Sequence, residues 1–410
     1  MSHAPQSAAD AAEPLFTRNF LVLCVSTLLF FESMFLLLAV LPVFIVRELG
    51  GTESQVGVVV GVFALAAVMI RPTSGWLVER WNRKLGLALG ALVYCVGPIL
   101  YTTADSVPLM IAYRFFHGLG IALFTTASSV LVADIAPLSR RGEAMGYYGM
   151  MMNVAMATGP VAGAALVEHS GFNQLFWLSA LLALGCLFVI AFLAEPARQP
   201  SVARLSRPSL LSRSAVFPGF LAICMTMSFG AVLSFLPLFV QARQLGNPGW
   251  YFIVYSVAVI LARPVSGKWS DRFGRARVII PGLLLLTVAM TLLAQATSVT
   301  WLLGVAALQG LGFGVVQPAL MALCVDRATE RERGPALATL MLAFDIGHGL
   351  SAIGLGLLLE QTSFPTMFLF TAGVSLLGAV ALAGASYGSA ATAAGRADRP
   401  AATTPAPGPD

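Results

Sequence analysis

The chain has 410 residues, 58% of them hydrophobic and only 10% charged, with a formal charge of +5. Soluble domains carry about a quarter charged residues, so this balance, with a mean hydropathy of +0.83, excludes a soluble enzyme or a nucleic-acid binder. The five cysteines (Cys24, Cys95, Cys186, Cys224 and Cys324) stand singly in apolar runs; that pattern excludes a disulfide framework and reads as small buried hydrophobes.

Residues 1–17 are polar and form an expected cytoplasmic N-terminal segment. The apolar run after them is too long for the core of a cleavable signal peptide. A helix needs roughly 20 mostly apolar residues to cross a bilayer. Such runs follow one another at 18–44, 54–78, 84–103, 107–133, 143–167 and 173–194, which predicts a six-helix bundle over 18–194. A charged linker over 195–214 carries Arg198, Arg204, Arg207 and Arg213. Further helices at 215–241, 248–269, 276–296, 299–325, 334–359 and 364–387 predict a second six-helix bundle over 215–387. Residues 388–410, rich in Ala, Gly, Pro and Thr, read as a disordered cytoplasmic tail.

Lysines and arginines fall almost entirely on alternate loops. One side receives Arg80, Arg83, Lys84, Arg140, Arg141, the linker arginines, Lys268, Arg272, Arg275, Arg277, Arg327, Arg331 and Arg333; the other receives Arg47 and Arg243. The positive-inside rule makes the rich side cytoplasmic and puts both termini there. An even number of spans is required, in agreement with twelve. The expected location is the cytoplasmic (inner) membrane.

The chain repeats itself at an offset of 192 residues. RPTSGWLVERWNRK at 71–84 matches RPVSGKWSDRFGRA at 263–276, Gly118 and Gly120 meet Gly310 and Gly312, Asp134 meets Asp326, and Gly142 meets Gly334. Duplicated halves suit a protein that rocks about a shared central cavity, opening it to each side in turn; a static channel would also fit repetition alone.

On these residues the chain resembles the major facilitator superfamily, and within it the bacterial drug and metabolite efflux group of proton antiporters. The loop signature after the second helix, G-x-L-x-D-R-x-G-R-R/K, appears as Gly75, Leu77, Glu79, Arg80, Arg83 and Lys84, and its second copy as Gly267, Asp271, Arg272, Gly274 and Arg275. Glu79 replaces the usual Asp and Asn82 the usual Gly. The resemblance implies a cytoplasmic gate, and an acid flanked by arginines suits one that closes by charge pairing and opens when the halves rotate. Asp134 with Arg140 and Arg141, and Asp326 with Arg331 and Arg333, read as secondary gate elements or as solvated loops. Arg114, His117, Gly118 and Gly120 resemble the R-x-x-Q/H-G-x-G element, whose arginine the family uses in proton coupling. Snorkelling toward the nearer helix end is the other reading of Arg114, and His117 either titrates or satisfies hydrogen bonds. Gly159, Pro160 and Gly163 resemble the G-P-x-x-G core of the antiporter motif and predict a kinked, closely packed helix, although Ala155 and Ala164 replace two further glycines.

The remaining candidates are polar groups inside the spans. Glu32 lies fourteen residues into the first run, where desolvation disfavours a bare charge, so it is a candidate proton carrier or a neutral structural acid. Asp345 and His348 are three apart on one helix face, and can share a proton or bind a polar substrate. Asn153, Gln309 and Gln317 are candidates for the cavity wall or for bridges between helices. Arg71 and Arg263, each before a proline, read as interface or gate residues.

The leading expectation is an all-α secondary transporter that exports small amphipathic compounds in exchange for protons, by alternating access. The partners are then a small-molecule substrate, protons and membrane lipids, and the protein acts as a monomer. No cofactor, metal site, nucleic-acid partner or enzymatic centre is expected. The alternatives are a transporter of a polar metabolite such as a sugar, amino-acid derivative or metal chelator, and a non-transporting receptor or lipid-handling protein on the same fold.

Overall fold

The computed structural model describes residues 14–80, 82–137, 140–194, 212–329 and 332–397, and only the backbone at 72, 75, 76, 78–80, 334 and 387–397. Among the described residues there is helix and no strand, as backbone groups in lipid require when water cannot satisfy them. In chain order the helices are α1 (Arg18–Leu38), α2 (Leu41–Arg47), α3 (Glu53–Arg80), α4 (Arg83–Tyr101), α5 (Val107–Ile135), α6 (Arg141–Ser170), α7 (Phe172–Ala191), α8 (Val216–Ala242), α9 (Gly249–Phe273), α10 (Arg275–Leu293), α11 (Val299–Arg327), α12 (Arg333–Gln361) and α13 (Phe364–Ala397). With α1 and α2 forming one span, 12 stretches are long and apolar enough to cross a membrane.

Two boundaries differ from expectation. The first span is interrupted at 39–40, where Pro42 opens α2, because proline cannot donate to the preceding turn. The last helix runs on to Ala397 instead of giving way to irregular chain at 388; GSAATAAGRA is alanine-rich, and alanine favours helix above all other residues. Residues 398–410 of the predicted tail and 195–211 of the predicted linker lie outside the described residues.

Packing follows the repeat. In the first half α1 packs on α6 and α7, α5 on α3 and α4, and α4 on α7; in the second, α8 packs on α12 and α13, α11 on α9 and α10, and α10 on α13. The two sets meet along α3–α12 and α6–α9, with α2 against α8. Within the first half, small residues let α6 approach α1 to backbone distance: a Cβ on Gly159 would sit 2.8 Å from that of Phe35, and one on Gly163 would overlap the Leu36 carbonyl. Between the halves the tight contacts lie toward the arginine-poor side. A Cβ on Gly57 would overlap the Ala352 carbonyl, one on Gly356 would meet the Gly57 Cα at 3.2 Å, and one on Gly249 would overlap Val161. Arg47, ending α2, lies against the Gln241 amide near the end of α8.

Toward the arginine-rich side α6 and α9 part. Side chains added at Gly142, Gly146 or Gly267 would meet nothing within 4 Å. The molecule is therefore sealed on the arginine-poor side and parted along α6–α9 on the other. Gly163→Val should destabilise the protein by about 1–3 kcal/mol through overpacking, read as a lower thermal unfolding midpoint in detergent, while Gly304→Ala, in open space, should leave the midpoint unchanged. Gly57→Val should keep the fold but pry the arginine-poor seam open, read as faster labelling of a cysteine placed at Ser54.

Candidate functional site

Helix α12 is wedged between the halves by its small residues. Gly347 packs against Thr226 of α8, and Gly349 lies within reach of Ala64 of α3. This sets Asp345 toward α3, where its Oδ2 meets Arg71 Nε at 2.7 Å. Both side chains are about a quarter exposed (28% and 22%), so the pair joins the two halves at the edge of an accessible space. His348, one turn along, meets the Phe229 ring of α8 edge-on at 5.7 Å. Phe229 in turn stacks on Tyr255 of α9 at 5.2 Å and packs against Phe313 of α11. Four helices of the second half thus contribute to one aromatic cluster.

At the repeat offset Arg71 corresponds to Arg263, and Asp345 to Asn153. Arg263 accordingly reaches back across the other seam, its Nη1 lying 3.2 Å from where a Cβ of Gly149 in α6 would be. Its Nη2 donates to Gln317 Oε1 at 3.2 Å. Asn153 donates to the Gly149 carbonyl at 2.9 Å. Gln309 is instead a buried bridge: it accepts from the Tyr251 hydroxyl of α9 and donates to the Ser228 carbonyl of α8 at 3.2 Å.

His117 and Arg114 belong to a separate cluster inside the first half. His117 is 1% exposed, its Nδ1 lies 2.6 Å from the Tyr101 hydroxyl, and Tyr94 and Phe63 pack on its ring. The Arg114 guanidinium lies 4.3 Å from the Phe63 ring centroid and donates to Tyr101 Oη and the Val59 carbonyl, both at 3.4 Å. This guanidinium is held by ring faces and neutral acceptors, and no carboxylate pairs with it among the described residues.

Glu32 is not brought to the Asp345 cluster. Its Oε2 accepts from Thr158 of α6 at 3.0 Å. On α1 the face bearing Glu32 is, by helical periodicity, the face of Leu21 and Val25, which are 49% and 46% exposed. On α6 Thr158 and Val154 lie on one exposed stripe, beside the Gly159–Gly163 contact with α1. Cys224, the repeat mate of Glu32, is covered by Gly378 and Ser375 of α13. Glu32 therefore sits at the α1–α6 contact of the first half, bonded to Thr158 and apart from the Arg71–Asp345 pair.

The gate residues make pairs within each half. Arg83 Nε meets Asp134 Oδ2 at 2.9 Å, and its repeat mate Arg275 meets Asp326 at 2.7 Å, so each pair ties the start of one helix to the end of the next. Arg275 also meets Asp271 at 2.5 Å. Gly274 takes φ +92 between α9 and α10, a conformation that favours glycine. Lys84 donates to the Ala191 and Leu193 carbonyls, capping the end of α7. The expected grouping of Asp134 with Arg140 and Arg141 is corrected: Arg140 forks onto Glu143 three residues on, at 2.8 and 2.9 Å, and leaves Asp134 to Arg83. Asp326 likewise takes Arg275, with Arg333 in no ion pair among the described residues. The side chains of Gly75, Glu79 and Arg80, and all of Arg331, lie outside the described residues. Arg272 is exposed at the end of α9.

The sequence reading missed Thr158, Tyr101 and the Phe229–Tyr255–Phe313 cluster. Each is an ordinary apolar-span residue by composition, and the sequence, which matched Arg71 to Arg263 and grouped Asp345 with His348, did not link Arg71 to Asp345.

A twelve-span, two-half helical fold with charged groups at the boundary of the halves is that of a membrane transporter. The Major Facilitator Superfamily model matches residues 23–248 and 245–408, and the chain belongs to that family; it is a multi-pass membrane transporter of a small molecule and not an enzyme. It is 23% identical to the staphylopine export protein of Staphylococcus aureus, over 85% of this chain and 91% of that one. It is 22% identical to the quinolone resistance protein NorA of the same organism, over 77% and 83%. Among solved structures the nucleoside transporter NupG superposes with a TM-score of 0.76 at 15% identity, covering 90% of this chain and 99% of that one. The human organic anion transporter MFSD10 gives 0.69 at 19%, covering 90% and 100%.

Arg71→Gln and Asp345→Asn should each lower the unfolding midpoint, and the double variant should cost much less than their sum. The coupling expected for a half-buried pair is about 1–3 kcal/mol, measured as a double-mutant cycle of thermal unfolding.

Proposed function

We propose that the chain exports a small amphipathic compound from the cytoplasm in exchange for protons, with the arginine-rich side and both termini cytoplasmic, in the inner membrane. The observation that carries this reading is the Arg71–Asp345 pair across the two halves. In the form described, the arginine-poor seam is closed and the α6–α9 seam is parted on the other side. Asp345 ionised and paired with Arg71 suits the form that has released its proton inward and is ready to take substrate. After reorientation a proton on Asp345 would dissolve the pair and favour return. Proton and substrate then act on one conformational equilibrium in opposite senses, which is reciprocal linkage.

The Phe229–Tyr255–Phe313 cluster beside His348 supports an amphipathic rather than a fully polar substrate. The similarity to a staphylopine exporter over 85% of the chain favours a second reading, a polar metallophore-like metabolite. The halves form the proposed cavity within one chain, so the protein is taken to act as a monomer, the first bundle over 18–194 rocking against the second over 215–387. Glu32, bonded to Thr158 within the first half and apart from the Arg71–Asp345 pair, is assigned no part in the coupling path.

The test is energised efflux from cells lacking their own pumps, with a panel of amphipathic compounds of either charge. Efflux should collapse with a protonophore and in Asp345→Asn, and persist in Glu32→Gln. No efflux of any compound by protein folded in the membrane would overturn the export reading. Loss of coupling in Glu32→Gln alone would move the proton site to α1.

A further inference from the structure

The repeat makes the second seam informative. Arg71 has an acid opposite it, whereas the position in register with that acid is Asn153, which is neutral. Arg263 meets no carboxylate among the described residues, and the partner it does have, Gln317, is an uncharged amide. A guanidinium held in the interior of a membrane protein without a counter-ion is costly and attracts an anion. Its Nη1 lies against the α6 backbone at Gly149, where even a Cβ would come within 3.2 Å, so Arg263 faces the first half across this seam.

A second, independent observation points the same way. Asn153 is 1% exposed and its Oδ1 has no hydrogen-bond partner; the buried Tyr255 hydroxyl, two turns from Arg263 on the same helix, has none either. Buried polar atoms are rarely left unmatched. A cation without an anion, an acceptor without a donor, and a hydroxyl at the edge of an aromatic cluster together describe an incomplete binding site.

We propose that Arg263, with Asn153, Gln317 and Tyr255 around it, is an anion subsite, and that the exported compound is an amphipathic organic anion: a carboxylate or similar group on Arg263, and an aromatic or apolar body toward Phe229 and Phe313. This rests on the export reading above. Arg71 is unsuited to the same task while Asp345 neutralises it. The halves are then divided in labour, one seam carrying the proton-sensitive pair and the other the substrate charge, each on an arginine in the same register.

The probe is 1-naphthoate, compared with 1-naphthamide, which has the same ring body without the charge. Binding is read with purified protein in lipid nanodiscs, as a saturable rise in the unfolding midpoint. Naphthoate should bind about tenfold more tightly than the amide, the size expected for one charge-assisted contact. Arg263→Gln should remove that preference. Asn153→Asp, nearly isosteric, should place an internal acid beside Arg263 and weaken naphthoate by about tenfold while the protein stays folded, so the test stands even if Arg263→Gln fails to fold. Equal binding of acid and amide, no binding of naphthoate, or unchanged binding in folded Asn153→Asp would overturn the subsite. Arg263-dependent binding without protonophore-sensitive efflux would uphold the subsite and sink export; efflux confined to cations, with no naphthoate binding, would do the reverse.

Discussion

Charges placed inside an apolar slab have no water to turn to, and the arrangement of this protein depends on how its few interior charges are matched. Arg71 and Asp345 come from different halves and meet at 2.7 Å. Neither half can satisfy its own member of the pair, so the charges are matched only when α3 and α12 lie side by side. An ion pair of this kind adds little stability over a well-packed apolar contact, but breaking it by removing one partner is expensive. That asymmetry makes it a device for specifying one arrangement of the halves rather than for strengthening the fold.

The close approach that the pair requires comes from small residues. Gly57, Gly61 and Gly349 remove side chains where α3 meets α12, and Gly249 does the same where α9 meets α6. In lipid there is no hydrophobic gain from bringing two apolar helices together, so association rests on backbone-level packing and on interior polar contacts. Both are concentrated on the arginine-poor side and at mid-depth. On the other side, the ion pairs among the described residues stay within one half, and nothing in them opposes parting of the halves.

The two halves are not copies in chemistry. The first carries a buried Tyr94–Tyr101–His117–Arg114 cluster, whose histidine has in its register Gln309, a neutral helix bridge in the second half. The second carries an aromatic cluster around Phe229, where the first has Leu37 in register. Gene duplication supplies the architecture, and divergence at matched positions supplies the function. Asn153 opposite Asp345 is the sharpest instance.

Much of this was legible in the residues alone. Apolar runs of span length, the alternation of arginine-rich loops and the 192-residue repeat determine twelve helices in two matched sets, because lipid imposes length and polarity on every segment locally. The motif residues Arg83 and Arg275 were also found by spacing, since the duplication preserves their register. The directions in which side chains point were decided only by the tertiary structure. Glu32 and Asp345 look alike as acids within apolar runs, yet one is bonded to Thr158 within its own half and the other meets Arg71 across the halves. A helix with almost no amphipathic moment offers no periodic signal to separate inward from outward faces. That choice was left to packing, and with it the partner of every interior charge.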